Sequence, residues 1–272
     1  MTEKMATIEE TLARLCPKLA PFEPGHVWLA GAGPGHAGSL TIDVVAALGQ
    51  ADAVVYDALV DASVLDAAPQ AELHFMGKRG GKASAAQDDI TTLLITLARH
   101  GRRVLRLKGG DPYVFGRGGE EALALARSGV PFRILPGVTS AFGALASAGI
   151  PATMRGFNKA IILATGHAAG TPDDLDWAAL AKTGQPIVVY MGLKTLGAIT
   201  AALLEGGLAA STPAALIMSA TMPEERVLVS TLARLAEDGE AAGFASPALA
   251  VFGEIVSMRA ELMELERLAR SA

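Results

Sequence analysis

Residues 104–121 read VLRLKGGDPYVFGRGGEE, and this stretch decides the predicted fold. Its apolar start predicts a buried strand, its glycine-rich middle a turn, and its end the start of a helix over residues 120–128. From Arg106 onward it holds five glycines, two arginines, one lysine and three acids. Loops with this much backbone freedom and charge seldom serve only as connectors. We therefore expect a ligand site here, with a long solvated surface turn as the alternative.

Glycine also follows other predicted strands in the first half of the chain. The glycine-bearing segments are residues 31–35, 77–79 and 137–140, which follow strands at 26–30, 72–76 and 132–135; a short strand at 53–56 ends at Asp57. Strands and helices alternate at the spacing of βαβ units, which predicts a mainly parallel sheet covered by helices. Ligands bind beyond the carboxyl ends of the strands in such sheets, so these loops form the predicted site.

The same alternation restarts after Arg155 and predicts a second α/β domain. Its predicted strands are residues 159–165, 187–191, 214–218 and 248–256, with a helix over 195–205 and a polar helix at the C-terminus. The predicted organisation is an N-terminal extension, an N-terminal α/β domain and a C-terminal α/β domain, at residues 1–25, 26–150 and 151–272. In the extension, Thr7 and Glu10 have the spacing of a capping box for a short helix ending at Leu15.

The composition excludes several classes of protein. The chain has 272 residues, of which 51% are hydrophobic and 19% charged, so it is not a disordered chain. Its net charge of −5 argues against a general nucleic-acid binder. A single cysteine, Cys16, and five scattered histidines give no metal-ligand spacing, so no metal site is expected. With neither a signal-peptide pattern nor a membrane-length apolar run, a soluble cytoplasmic protein is expected.

Residues 31–35 form a glycine-rich turn that has three possible roles. Their glycines let a ligand approach the backbone closely. A dinucleotide-binding fingerprint requires a further glycine where His36 stands, and Pro34 removes a backbone donor. From this motif alone, a small-molecule site, a dinucleotide site and a plain tight turn all stay open.

Charged side chains beside the strand ends are the candidate chemical groups. Asp57 can act as a base, grip a ribose hydroxyl, or simply cap a turn. Lys78 and Arg79 can bind anionic groups or lie in a solvated loop, while Arg117 has the fork geometry that binds carboxylates. Met191, at the end of a predicted strand, is either a core residue or the wall of a ligand pocket.

Taken together and in order, these loops resemble the tetrapyrrole methylases, a family of S-adenosylmethionine-dependent enzymes. Besides residues 104–121, the matching segments are VWLAGAGPG (27–35), VYDALV (55–60), GKR (77–79), PGVTSA (136–141), GIP (149–151), ATGH (164–167), YMG (190–192) and SPA (246–248). The resemblance therefore spans roughly residues 26–256, and residues 108–121 are its most specific part.

The resemblance implies an α/β fold of two domains, with S-adenosylmethionine folded into the cleft between them. It implies methyl transfer to C2 and then C7 of uroporphyrinogen III, which gives precorrin-2 on the branch towards sirohaem, cobalamin or haem d1. A homodimer is also implied. By position in the motifs, the implied cofactor contacts are Pro34, Gly109, Gly110, Asp111, Val114, Thr139, Ser140, Met191 and Ala220.

Catalytic and substrate contacts follow from the same resemblance. It implies acid or base roles for Asp57 and Lys78, and a catalytic or substrate-binding role for Arg117. The implied substrate contacts are Arg79, Glu120 and Arg155. A mouth lined by cations suits a polycarboxylate substrate even though the whole chain is acidic.

The chain departs from the family pattern at three positions, and three rival functions remain open. Met154 stands where the family usually has a histidine, His36 where aspartate is common, and Ala220 where glycine is frequent. The loss of aspartate predicts a looser cap on the helix that follows. The rival functions are a methylase acting on a later precorrin, an NAD-dependent oxidoreductase that uses residues 31–35, and a non-catalytic tetrapyrrole-binding protein.

Overall fold

The computed structural model describes residues 7–15, 19–77, 87–171 and 174–271. The chain divides into two compact units, Met1–Val138 and Thr139–Ala272. The sequence placed the boundary at residues 150 and 151, whereas the short helix after Thr139 here belongs to the second unit. This helix is bound to later parts of the second unit: the Tyr190 hydroxyl accepts a hydrogen bond from the Ala141 amide, and the Arg259 guanidinium donates to the Ala148 carbonyl.

Strands and helices alternate in both units. In the first unit they are α1 (Ile8–Leu15), β1 (Val27–Gly31), α2 (Ile42–Gln50), β2 (Ala53–Tyr56), α3 (Ala62–Leu65), β3 (Glu72–Phe75), α4 (Gln87–Arg99), β4 (Val104–Lys108), α5 (Gly118–Arg127) and β5 (Phe132–Leu135). In the second they are α6 (Ser140–Ser147), β6 (Ile162–Thr165), α7 (Trp177–Lys182), β7 (Ile187–Tyr190), α8 (Leu196–Glu205), β8 (Pro213–Met218), β9 (Arg226–Thr231), α9 (Leu235–Ala241), β10 (Ala248–Phe252) and α10 (Met258–Ser271).

The first unit is built on a parallel five-stranded sheet of order β3-β2-β4-β1-β5. Central strands β1 and β4 are buried along their whole length, because both faces of the sheet are covered. Apolar residues of α2 and α3 pack on one face, and those of α4 and α5 pack on the other. The predicted parallel sheet covered by helices is therefore confirmed for this unit.

The second unit contains a mixed sheet of order β6-β7-β10-β8-β9. β6 and β7 are parallel, while β10 runs antiparallel to both β7 and β8, and β9 antiparallel to β8. Apolar residues of α7, α8 and α9 cover one face. The predicted second α/β unit is thus present, but α7, β9 and α9 were not predicted. The strand predicted over residues 248–256 ends at Phe252, since Gly253 takes φ +139° and a 3-10 turn follows.

The N-terminal extension contains the predicted capped helix. The Thr7 amide donates to the Glu10 carboxylate over 2.9 Å, and the Glu10 amide donates to the Thr7 hydroxyl over 3.2 Å. None of the side chains of α1 is buried. Further along, Phe22 is buried and stacks on Trp28 with 4.1 Å between the ring centroids. The end of the extension therefore forms part of the core of the first unit.

We expect Asp52 to make the stability of the protein depend on pH at the acid end. Its carboxylate accepts two hydrogen bonds from the Arg103 guanidinium and one from the Arg103 amide, and this lowers its pKa from 3.8 to about 2. The folded pKa lies below the unfolded one, so the stabilisation is present above pH 4 and is lost as the pH falls through 2.

The expected contribution is about 1–2 kcal/mol, since the pair is partly solvated. Urea unfolding of the wild type and of Asp52→Asn at pH 6, 4 and 3 measures it. The variant is expected to show a shallower fall in unfolding free energy on acidification. Identical slopes for the two proteins would contradict this role for Asp52.

Candidate active site

Three loops at the carboxyl end of the first sheet meet through glycine backbones. Gly31 ends β1, Gly110 follows β4 and Gly137 follows β5. Gly33 and Gly110 form an antiparallel bridge, in which their amides donate to each other's carbonyls over 3.1 and 2.6 Å. A Cβ atom on Gly137 would lie 2.3 Å from the Gly110 oxygen and 2.7 Å from the Gly31 Cα. Glycine is therefore required at this contact because side chains have no room.

We expect Gly137→Ala to destabilise the protein by about 1–3 kcal/mol, because the new methyl group forces backbone atoms apart. It should also weaken binding of S-adenosylhomocysteine if the loops form the cofactor site. Gly49→Ala is the matched control: Gly49 lies in α2 with nothing within 4 Å of its added Cβ. This helix substitution should raise stability by up to about 1 kcal/mol. Guanidinium unfolding measures both, and wild-type stability for Gly137→Ala would refute the contact.

Asp111 links two of these loops. Its Oδ1 accepts a hydrogen bond from the Tyr113 amide over 2.8 Å, and its Oδ2 accepts one from the Gly137 amide over 3.1 Å. Each oxygen keeps a further lone pair for a ligand. Asp111 therefore has a structural role beside its predicted cofactor contact. Pro34 and Val114, two other predicted contacts, are half-buried in the loops after β1 and β4.

Arg117 and Glu120, both predicted to act on the substrate, bind each other. Arg117 Nε donates to Glu120 Oε1 over 2.9 Å, and its Nη2 to Oε2 over 2.6 Å. Both side chains are more than half exposed, and Arg117 adopts a left-handed backbone with φ +60° before α5. The paired guanidinium lowers the pKa of Glu120. The predicted carboxylate-binding fork is thus present, and here it binds the carboxylate of Glu120 in the first turn of α5.

Behind these loops lies a group of buried charges whose pairing the sequence analysis did not predict. We name Arg106, Lys108 and Glu121 the buried charge cluster; each is at most 4% exposed. Glu121 Oε1 lies 3.2 Å from Arg106 Nε and 3.2 Å from Lys108 Nζ. It also accepts a hydrogen bond from the side-chain amide of Gln87 over 2.9 Å. Burial, and next the Arg106 charge, lower the pKa of Lys108. Two charges at alternate positions of an apolar strand were the available signal.

Asp57 lies at the rim of this cluster, directly after β2. Its Oδ1 accepts a hydrogen bond from the Leu59 amide over 3.0 Å, which is the turn contact that the sequence left open. Its Oδ2 lies 3.6 Å from Arg106 Nη2, and the side chain is 25% exposed. Asp57 is therefore both a turn residue and an accessible carboxylate at the carboxyl end of the sheet.

In the second unit, Thr139 and Ser140 begin α6 and Met191 follows β7. The Thr139 hydroxyl lies 2.6 Å from the Tyr190 hydroxyl, which also accepts from the Ala141 amide over 2.9 Å. Tyr190 thus performs the capping that the Thr139 side chain does not. Met191 is 53% exposed and has φ +53°. The contact between Tyr190 and Thr139 was missed, since nothing in either segment indicates which distant residue it meets.

The other predicted residues are more scattered. Ala220 is half-buried between Ser219 and Thr221, both of which have positive φ. Arg155 is exposed in the turn that follows Met154, which is also exposed. His36 does not loosen the next cap as predicted: its Nδ1 accepts from the Gly38 amide over 3.0 Å, and the Thr41 hydroxyl caps α2.

The first unit brings most of its predicted site residues to one edge of its sheet. They are Pro34, Asp57, Gly109, Gly110, Asp111, Val114 and Arg117, in loops that follow β1, β2 or β4, and Glu120 in the first turn of α5. Lys78 and Arg79 lie outside the described residues, so the structure gives them no position. The alternation of strands and helices predicted this edge, because parallel strands end together, while most of the individual residues were implied by the family resemblance.

The sequence model of the tetrapyrrole (corrin/porphyrin) methylases matches residues 26–236, most of the chain. The chain belongs to this family. Membership confirms that it is an enzyme, a methylase of tetrapyrroles, and that S-adenosylmethionine is its cofactor. The α/β fold of two units is also confirmed. An oxidoreductase that binds NAD at residues 31–35 does not fit this family.

Two relatives show how far the similarity extends. The tetrapyrrole methylase is 52% identical to a uroporphyrinogen-III C-methyltransferase of Sinorhizobium sp, over 90% of this chain and 88% of that protein. It is 44% identical to a siroheme synthase of Azotobacter vinelandii over 97% of this chain. That match covers 56% of the siroheme synthase, so the chain spans about half of its length.

Two solved structures have the same fold. One is uroporphyrin-III C-methyltransferase from Thermus thermophilus in complex with S-adenosylhomocysteine, with a TM-score of 0.73, 38% identity and coverage of 85% of this chain and 99% of that one. The other is cobalt precorrin-4 methyltransferase, with a TM-score of 0.76, 26% identity and coverage of 85% and 96%. In the described part of the methylase, no helix is long and apolar enough to cross a membrane.

Proposed function

We propose that this methylase transfers methyl groups from S-adenosylmethionine to C2 and then C7 of uroporphyrinogen III, giving precorrin-2. The observation that carries the proposal is the 52% identity with a uroporphyrinogen-III C-methyltransferase over nearly all of both chains. The segment at residues 108–121, where Arg117 and Glu120 lie, supports the same substrate. A cytoplasmic location and a homodimer belong to this proposal as expectations from the family.

A methylase of a later precorrin is the second candidate. The fold supports it as well, because the TM-score to cobalt precorrin-4 methyltransferase is 0.76. Identity separates the two candidates: it is 26% to that enzyme and 38% to the uroporphyrin-III enzyme of Thermus thermophilus. We therefore favour uroporphyrinogen III as the substrate.

The residues present suit S-adenosylmethionine. Glycines 109 and 110 leave the loop after β4 without side chains, so a ligand can approach its backbone. The Asp111 carboxylate can accept hydrogen bonds from an ammonium or hydroxyl group, and the Thr139 hydroxyl can bond a polar group. The exposed Met191 offers a soft apolar surface. When bound, the cofactor supplies an electrophilic methyl group on a sulfonium.

The remaining chemistry belongs to the protein. We propose that these residues would hold the cofactor while the substrate-binding residues hold the macrocycle, since bringing the two reactants together is the main catalytic demand. The Asp57 carboxylate accepts the proton that the ring carbons lose as the macrocycle rearranges. Exposed cations, Arg117 and Arg155 among them, bind the carboxylates of the substrate, with Lys78 and Arg79 as further predicted contacts. Binding at Arg117 requires the substrate carboxylate to compete with Glu120.

The test is anaerobic incubation of the whole chain with uroporphyrinogen III and S-adenosylmethionine, followed by mass spectrometry of the tetrapyrrole. Two added methyl groups are expected. One added methyl would indicate that the second transfer stalls, with Met154 as the first residue to replace by histidine. No transfer to uroporphyrinogen III, but transfer to precorrin-2 supplied instead, would favour the second candidate.

A further inference from the structure

The buried charge cluster stands in an otherwise apolar layer. Side chains alternate along a strand, so Arg106 and Lys108 lie on the same face of β4 as Val104. Val104 packs there against apolar residues of α4 and α5, including Ile90 and Leu125. Burying charged groups in such a layer is costly unless each is paired. The cluster therefore needs an explanation beyond packing.

Every nitrogen of the Arg106 guanidinium faces an acceptor. Nε lies 3.2 Å from Glu121 Oε1, and Nη1 donates to the carbonyls of Val55 and Leu107 over 3.3 and 3.1 Å. Nη2 lies 3.6 Å from Asp57 Oδ2. The guanidinium thus has three buried acceptors, namely Glu121 and the carbonyls of Val55 and Leu107. Its fourth acceptor, Asp57, is partly exposed to solvent.

The charges of this arrangement balance. Arg106 and Lys108 are the cations, and Glu121 and Asp57 are the carboxylates. Glu121 is 0% exposed, and its Oε1 receives both cations, which fixes where the Arg106 fork lies. The two oxygens of Asp57 have different partners: Oδ1 accepts from the Leu59 amide, and Oδ2 faces Arg106.

We propose that Arg106 is a positioning residue for Asp57: it holds the Asp57 carboxylate in one orientation at the end of β2, and Glu121 holds Arg106 in turn. The inference rests on the proposed function, in which Asp57 takes the proton. A buried ion pair adds little net stability over apolar residues of the same volume, so an effect on turnover is the sharper sign of its role.

The test is a double-mutant cycle on turnover with Arg106→Lys and Asp57→Asn. Lysine keeps the charge but lacks the planar fork that reaches two carboxylates at once. Arg106→Lys is expected to lower kcat by about tenfold or more, while KM for S-adenosylmethionine and the affinity for S-adenosylhomocysteine stay within about twofold. In the Asp57→Asn background the same change should cost less than about twofold. Losses that multiply, or unchanged kcat in Arg106→Lys, would overturn the proposal.

Arg103→Lys is the matched control. Arg103 immediately precedes β4 and forms a similar fork with Asp52, away from Asp57. Its replacement should leave kcat unchanged. A second variant, Asp57→Glu, leaves the cluster intact but moves the carboxylate by one methylene. It is expected to lose about tenfold or more in kcat, and full turnover would contradict the need for orientation.

Thermal melting separates this inference from the proposed function. If the wild type methylates no tetrapyrrole, the proposed function fails. The contact is then decided by the melting temperatures of Arg106→Lys, Asp57→Asn and the double variant. A double shift smaller than the sum of the single shifts supports the pair, and additive shifts overturn it.

Discussion

Asp57→Asn is expected to lower the rate of methyl transfer by a factor of about 10²–10⁴, the usual contribution of a general base. The substitution keeps the size of the side chain, and an asparagine Oδ1 can still accept from the Leu59 amide. What it removes is the negative charge beside Arg106 and the capacity to take a proton. Single-turnover mass spectrometry with saturating S-adenosylmethionine measures the rate, and calorimetry with S-adenosylhomocysteine shows whether cofactor affinity is kept.

Asp61→Asn is the control for this variant. Asp61 lies four positions further along, where its Oδ1 accepts from the Ser63 amide and caps α3. Asparagine caps helices about as well as aspartate, so turnover should stay at the wild-type level. Equal turnover for Asp57→Asn and the wild type would remove Asp57 from the proposed chemistry.

Glu121→Ala is expected to reduce the free energy of unfolding by about 3–5 kcal/mol, because it leaves two buried cations without their shared carboxylate. A loss of this size is a large fraction of the stability of an ordinary domain. Part of the protein should therefore be unfolded at room temperature or collected in the insoluble fraction. Urea unfolding followed by circular dichroism measures the change.

The neighbouring variant Glu120→Ala provides the comparison, since Glu120 is also a glutamate paired with an arginine but is exposed where Glu121 is buried. Glu120 pairs with Arg117 at the surface, where an ion pair contributes little. The unfolding midpoint of Glu120→Ala should stay close to that of the wild type. If the two variants had the same midpoint, the buried charge cluster would not be the structural element inferred here.

The carboxyl edge of the first sheet was predictable from the sequence because each part has a local signal. Apolar runs gave β1, β2 and β4, and glycines marked where they end. The capping box at Thr7 and Glu10 formed as its spacing predicted. The parallel arrangement followed because strands separated by helices pair in one direction.

Long-range partners were not predictable. The strand expected from Lys159 begins at Ile162, because the Gln185 side chain accepts hydrogen bonds from the amides of Lys159 and Ala160 in place of a neighbouring strand. β9 was missed since it is the edge strand beside β8 and its residues are exposed or only partly buried. The ion pair of Arg106 with Glu121 links residues fifteen apart in the chain; the apolar strand around Arg106 signals its burial, but nothing there indicates that Glu121 is its partner.

The most direct measurement is the position of the transferred methyl groups. The protein is incubated anaerobically with uroporphyrinogen III and S-adenosylmethionine labelled with ¹³C in its methyl group, and the product is examined by ¹³C NMR. We predict two labelled methyl groups, one on C2 and one on C7. Label on other ring carbons, or no label in the tetrapyrrole while S-adenosylhomocysteine still binds, would contradict the proposed reaction.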